Sequence, residues 1–339
     1  MLVDSERRVN YQDSVQHRDS FIATLNKVNK QLADDSGVLV VDGHAEFTGS
    51  HSVLVTSGEE ELAITATTII INTGSIPVIP DIPGVDSSRV IDSTGAQHLD
   101  STPDSLVIVG GGPIGMEFAT MFTQFGTKVT ILDRGPKFGS AFDEDVAAEV
   151  KADLDAKGIT IINGADVTEL KDTDDGIKVR YSEDGGEHAI DATNVLFAIG
   201  RTPATDGLGL ESAGIDTTER GAIAVDEHLR TNVEGVYAAG DVTGGPQFTY
   251  ISYDDHRVIT SDRWGDGSRV TTGRLYPTTT FINPPVSTIG MGEQDAKDNA
   301  ASRGHTAEVR FKKIADIPIM PRPKIVGTPE GVAKFIIDV

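Results

Sequence analysis

The stretch "SLVIVGGGPIGMEFATMF", residues 105–122, limits the fold more than any other part of this 339-residue chain. The Val- and Ile-rich run reads as a buried strand, the glycines as a tight turn, and the apolar spacing after Pro113 as a helix. Gly110, Gly112 and Gly115 fit G-x-G-x-x-G. In that pattern the first glycine permits the turn, the second lets backbone approach a pyrophosphate, and the third lets helix and strand pack closely. The helix N-terminus then offers free N–H groups and a positive dipole end to phosphate. A second strand, "KVTILD", ends at Asp133, 23 residues after Gly110. That spacing suits a carboxylate that accepts hydrogen bonds from the ribose 2′-hydroxyl. Such a group repels a 2′-phosphate, so NAD is expected over NADP, while the adjacent Arg134 softens that preference. The glycines alone also fit a purely structural turn; strand, helix, second strand and acid together point to a dinucleotide site.

Helix–strand alternation continues from about Asp104 to Gly200, through the helix "EDVAAEVKADLDAKG" and the strands "ITIING", "IKVRYS" and "NVLFAIG". The helix runs into Gly158, a residue suited to a left-handed C-terminal turn. About a hundred residues precede this block. They begin with "RDSFIATLNKVNKQL", whose spacing places Phe21, Leu25, Val28 and Leu32 on one helical face. Strand-like runs follow at "VLVVDGHAEF", "SVLVTS" and "ELAITATTIIINTG". "SIPVIPDIPG", with three prolines, reads as a loop or linker. After Gly200 come a buried strand and turn, "GVYAAGDV", and a helix, "TYISYDDHRVITSDRW". Strands return from "YPTTTFINPPVSTIG" onward, and "GVAKFIIDV" reads as another strand.

Composition narrows the function classes. The net charge of −23 argues against nucleic acid or an anionic membrane as partner, because no basic stripe could offset it. A solvated acidic surface is the plain reading. No apolar run nears the ~20 residues of a membrane helix, and "MLVDSERRVN" has no apolar signal core, so a cytoplasmic location is expected. The chain has no cysteine, which excludes thiolate metal sites and thiol catalysis by its own residues. Its eight histidines show no metal-ligand spacing, and no metal site is expected.

Four segments stand in a telling order: "TIIINTGSIPVIPDIPG", the glycine motif, "FAIGRTP" and "GVYAAGDV". Together they resemble the FAD-dependent pyridine nucleotide-disulfide oxidoreductases, the family of glutathione reductase and lipoamide dehydrogenase. The resemblance implies an α/β fold with two dinucleotide-binding domains, a Rossmann-like NAD domain being inserted into the FAD domain. Residues 1–103 would be the rear part of the FAD domain and 104–220 the NAD(P) domain. Residues 221–275 would return to the FAD domain, and 276–339 would start an α+β dimerisation domain. The family's first glycine-rich FAD motif and its C-x-x-x-x-C segment have no counterpart here, nor has its closing His-Pro stretch. The chain therefore reads as a fragment with an incomplete FAD domain and a partial interface domain, expected to be inactive alone and to hold FAD weakly.

The resemblance also assigns residues. Asp241 matches the aspartate that binds the flavin ribityl chain; a turn aspartate or helix cap is the alternative. Thr249 matches the start of a helix aimed at the flavin pyrimidine ring, with plain N-capping as its rival. Thr73 and Gly74 correspond to the turn that passes close to FAD, where the family has alanine in place of Asn72. His44 and Ala45 match a backbone contact to the adenine part, although strand packing also explains them. Glu117 matches the glutamate that pairs with a lysine beside flavin N5, a lysine absent here; a solvated helix glutamate is the alternative. Val167 and Gly200 line the nicotinamide side in relatives, and equally suit a core valine and a strand-end glycine. The implied chemistry is hydride transfer from NAD(P)H to FAD and onward to a small oxidised substrate, in a homodimer. "TGGPQFTYISYDDHRVI" and "IPIMPRPKIVGTPEGVAKFIID" further resemble the reactive-chlorine-resistance branch. Its members are bacterial cytosolic flavoenzymes that reduce copper(II) or hypothiocyanous acid.

Overall fold

The computed structural model describes residues 10–319, 325, 327 and 330–339. The start "MLVDSERRV" and most of "MPRPKIVGTP" lie outside the described residues. The chain divides into two compact units: residues 1–15, 79–200 and 275–339 form one, and residues 16–78 and 201–274 the other.

The first unit is built on a five-stranded sheet. Its order is Val90–Ile91, Asn194–Phe197, Ser105–Val109, Lys128–Asp133 and Thr160–Asn163, and every neighbouring pair is parallel. Parallel sheets need cover on both faces, and strand alternation sorts the residues accordingly. Leu106, Ile108, Val129, Ile131 and Leu196 face a core completed by Met116, Ala119 and Phe122 of the helix Pro113–Gln124 and by Val150 and Leu154 of the helix Glu144–Ala156. Val107, Val109, Leu132, Val195 and Phe197 face the other way, onto Leu170, Ile177, Val179 and Tyr181. Those four belong to an antiparallel meander, Asp166–Asp172, Ile177–Glu183 and Gly186–Ala192. Its first and last strands carry mixed charge and little apolar alternation, which hid them from the sequence pattern.

The same unit holds the hairpin Pro277–Thr280 and Val286–Ile289, the helix Glu293–Ser302, and the antiparallel pair Ala307–Lys313 and Val332–Asp338. The helix interrupts what the sequence reading took as strands. Its signals were an acidic first turn, Glu293 and Asp295, and a closing Gly304. Strand Val332–Asp338 pairs along its whole length with one neighbour, Val339 and Thr306 exchanging both backbone bonds beyond it. From it the Lys334 side chain, only 7% exposed, reaches three carboxylates: Asp143 at 3.0 Å, Asp145 at 2.7 Å and Glu293 at 2.6 Å. Asp143 also accepts the backbone N–H of Glu293 at 2.9 Å.

The second unit carries a three-stranded antiparallel sheet, His44–Gly49, Ser52–Ser57 and Glu60–Thr65. It also has a parallel pair, Ile69–Ile71 with Val236–Ala238, and an antiparallel pair, Ser75–Pro77 with Arg201–Pro203. "SIPVIPDIPG" thus begins as a short strand rather than a loop. Ile71, Val236 and Ala238 pack with Phe47, Leu210, Ile215 and Ile223, while Tyr237 and Ala239 turn to the opposite face against Val258 and Ile259 of the helix Thr249–Trp264.

Val38–Val41 is exposed and forms no strand; the ladder starts at His44, because no neighbouring backbone pairs with the earlier residues. The amphipathic helix exists as Tyr11–Asp35, but Phe21, Leu25, Val28 and Leu32 are all exposed, at 44–59%. Periodicity fixed the helix and not what covers it.

Candidate functional site

At the glycine turn, local geometry separates the three glycines by purpose. Gly110 has φ of +114°, and a Cβ there would stand 2.4 Å from the Ala198 carbonyl oxygen. A Cβ on Gly115 would stand 2.0 Å from the Gly110 carbonyl oxygen. Both are required by the fold. Gly112 has φ of −75° and ψ of −178°, which any residue adopts, and a Cβ there meets nothing within 4 Å. The protein itself gives no reason for that glycine. It caps the helix Pro113–Gln124, which has Pro113 at its start and no acidic residue in its first turn. The turn therefore presents unneutralised N–H groups and a positive dipole end to open space.

Asp133 ends its strand beside this turn: its carboxyl carbon is 3.0 Å from where a Gly111 Cβ would lie. The Asn163 side-chain amide donates to it at a long 3.5 Å, and Arg134 next to it is exposed. Gly200 is exposed, with φ of +128° and open space where a Cβ would be. Val167 packs against the meander core, so its side chain has a structural reason to be there. Glu117, on the glycine-turn helix, accepts the backbone N–H of Phe281 at 2.8 Å. In this chain its carboxylate is engaged by main chain, not by a lysine.

In the second unit, Asp241 lies in a short 3-10 turn, Gly240–Thr243. It caps nothing. Its carboxylate accepts the Ser75 hydroxyl at 2.7 Å, and the same hydroxyl oxygen accepts Arg201 Nε at 2.7 Å. Thr73 donates to the Ala204 carbonyl at 2.8 Å, and Gly74 beside it has φ of +76° with open space around it. Thr249 is the first residue of the helix Thr249–Trp264; the capping position is Phe248, which makes no side-chain cap bond. N-capping therefore does not explain Thr249. His44 Nε2 lies 3.0 Å from the Gly207 carbonyl oxygen, and Ala45 pairs with Val55 in the sheet. Both are exposed.

Ser75, Arg201 and the buried Asp255 hold this turn and were not singled out from the sequence. Ser75 and Arg201 sit inside segments already quoted, directly after "NTG" and within "FAIGRTP". Only their pairing, 126 residues apart in sequence, gives them a role. Among the described residues, no helix is long and apolar enough to cross a membrane. The only acidic group there that could hold a metal ion is Asp143, Asp145 and Glu293, and the Lys334 ammonium fills it.

Comparison with known proteins shows the family of the chain. Residues 5–255 match the family model described as pyridine nucleotide-disulphide oxidoreductase. The whole chain is 38% identical to the probable pyridine nucleotide-disulfide oxidoreductase RclA of Escherichia coli strain K12, covering 75% of that protein. Dihydrolipoyl dehydrogenase of Geobacillus stearothermophilus is 38% identical over 79% of the chain, and mercuric reductase of Staphylococcus aureus 30% over 91%. The chain spans only 56% and 54% of those two relatives. A solved Cu(II) complex of the HOCl-induced flavoprotein disulfide reductase RclA from Escherichia coli superposes with a TM-score of 0.89 at 38% identity, over 99% of this chain and 74% of that one.

Proposed function

The chain belongs to the pyridine nucleotide-disulphide oxidoreductase family, and on that premise we propose that it takes part in hydride transfer from NADH to FAD and on to a small oxidised acceptor. The observation that carries this reading is Gly112: an unstrained glycine with empty space at its Cβ, on a helix start without acids. An approaching pyrophosphate accounts for it.

In this reading residues 104–220 are the nucleotide domain, whose sheet also takes the edge strand Val90–Ile91 from the preceding segment; residues 1–103 and 221–275 otherwise supply the flavin side, and residues 276–339 begin a homodimer interface in a cytoplasmic enzyme. The backbone around Gly112 holds the NAD pyrophosphate, and Asp133 accepts the ribose hydroxyl, with Arg134 moderating the bias against NADP. Gly200 and Val167 border the nicotinamide. His44 and Ala45 meet the adenine end of FAD, Thr73 and Gly74 its closest backbone approach, and Asp241 its ribityl hydroxyls. The free carboxylate oxygen of Asp241 is the acceptor available for them, since the other takes Ser75. The helix starting at Thr249 turns its positive end toward the ring edge that gains electron density on reduction. Bound FAD supplies the hydride and electron chemistry; the protein supplies orientation and electrostatics.

For the acceptor we favour copper(II) or hypothiocyanous acid. The relative RclA is HOCl-induced and has been solved with Cu(II), and without cysteine the chain offers no thiol pair of its own as a relay. That same lack supports a second reading, an NAD-binding chain without turnover, in which Glu117 keeps only its contact to Phe281. Calorimetric titration with NADH tests the first claim: wild type binds, and Gly112→Val binds on the order of a hundredfold more weakly. Equal binding by both refutes the site. A flavin absorption spectrum of the purified protein separates the two readings.

A further inference from the structure

Helix Thr249–Trp264 buries Ile251, Asp255, Val258 and Ile259. Three of these are the apolar stripe that a packed helix requires. The fourth is a carboxylate at 1% exposure. An aliphatic side chain would fill the place without the cost of removing a charge from water, so the carboxylate needs a reason.

The reason lies in two contacts. Asp255 Oδ2 accepts the backbone N–H of Gly240 at 2.8 Å. Asp255 Oδ1 accepts Arg274 Nη1 at 2.7 Å. Gly240 is buried and stands where the chain leaves its strand with φ of +70°. The preceding amide, Ala239, still donates to the Ile71 carbonyl. At Gly240 the backbone turns out of the ladder, and its buried N–H would be orphaned without the carboxylate. Asp241 is the next residue. Its main chain is thus fixed from the helix by Asp255, and its side chain by Ser75 of the strand Ser75–Pro77. Arg274, 20% exposed, supplies the counter-charge and also reaches Asp254 at 3.2 Å.

We propose that Asp255 is a positioning residue for the flavin turn: through the Gly240 amide, and balanced by Arg274, it sets the direction from which Asp241 meets the cofactor. This rests on the flavin reading given above. Asp255 touches no cofactor atom in this proposal; it acts through Gly240.

The test compares wild type, Asp255→Leu and Asp255→Asn by thermal melting, by hydrogen exchange at the Gly240 amide, and by FAD titration followed through flavin absorbance. The leucine keeps the branched shape at a larger volume and removes both contacts, whereas the near-isosteric asparagine keeps an acceptor for Gly240. For Asp255→Leu the expected result is faster Gly240 exchange, unchanged exchange in strands 69–71 and 236–238, and FAD binding weaker by roughly ten- to hundredfold. Asp255→Asn should recover part of both. If Asp255→Leu fails to fold, Asp255→Asn and Arg274→Gln carry the same readouts. Unchanged Gly240 exchange, or FAD bound as tightly and with the same spectrum as wild type, overturns the proposal. A wild-type chain that binds no FAD overturns the flavin reading and with it this role, and a change in Gly240 exchange then marks Asp255 as purely structural.

Discussion

The turn at Gly110–Gly115 and the turn at Gly240–Asp241 do similar geometric work by opposite means. The first is closed by backbone. Gly110 donates to the Leu132 carbonyl at 2.8 Å, Gly115 packs on the Gly110 carbonyl, and everything involved lies within one parallel sheet and its helix. The second has its own 3-10 backbone bond, from Gly244 to the Asp241 carbonyl, but is tied to its surroundings largely by side chains. Asp255, Ser75, Arg201 and Arg274 hold it, from partners as far as 166 residues apart. A backbone-built turn keeps its shape whatever happens to distant side chains. A side-chain-built turn has a shape only as a network, in which removing one group strands another.

Replacements can break or sharpen that contrast. The largest expected effect is at Gly115. Valine there would force its Cβ against the Gly110 carbonyl oxygen, and neither backbone can move aside, so the urea midpoint should fall by the equivalent of about 3 kcal/mol or more. Wild-type stability in that variant would refute the backbone account of the first turn. Gly112→Val should leave the same midpoint untouched while weakening NADH binding on the order of a hundredfold, through the loss of charge-assisted bonds to phosphate. At the second turn, Ser75→Ala removes the donor to Asp241 and an acceptor for Arg201. About 1–3 kcal/mol of stability should go with it, with calorimetric NADH affinity unchanged; a parallel loss of NADH affinity would mean that the two turns are not independent. The smallest effect is expected at Asp133→Ala, which should narrow the NADH-over-NADPH ratio by roughly tenfold or less. A wild type that prefers NADPH would show that Arg134 dominates.

The same contrast explains what could be read from the sequence. Four strands of the parallel sheet and the glycine turn were legible because their signals are local: apolar runs, glycines at fixed spacing, and an acid at the end of the second strand; the two-residue edge strand Val90–Ile91 is too short to leave such a signal. The helix at residues 249–264 was visible for the same reason. The links Ser75–Asp241 and Asp255–Gly240 were not, since no short-range pattern connects residues that meet only after folding. Strands 166–172 and 186–192 were missed because their outward faces carry charge, and burial of alternate residues such as Leu170 needs the sheet beneath them. The exposed stripe at Phe21, Leu25, Val28 and Leu32 shows the converse. A helical period is a property of the segment, whereas burial belongs to its surroundings.

The ammonium of Lys334 and its three carboxylates put a pair of edges on the pH range over which the first unit is held together. Hydrogen bonds from Lys297 and then Lys334 outweigh burial and hold the Glu293 carboxyl at about 2, below the ordinary value of about 4.3. Its contribution is complete above that ordinary value and disappears as pH falls toward 2. Burial alone would lower the Lys334 ammonium, but its bonds to Asp145, Glu293 and Asp143 prevail and raise it. Its share is complete below the ordinary lysine value of about 10.4 and is lost as pH rises past that value. Between those limits one proton on one nitrogen ties the segment at 143–145, the start of helix 293–302 and the strand at 332–338 into a single acid- and base-labile rivet. Urea midpoints measured from pH 2 to 11 should fall at both ends for the wild type and follow a flatter curve for Lys334→Met; parallel curves would mean that the rivet bears no strain.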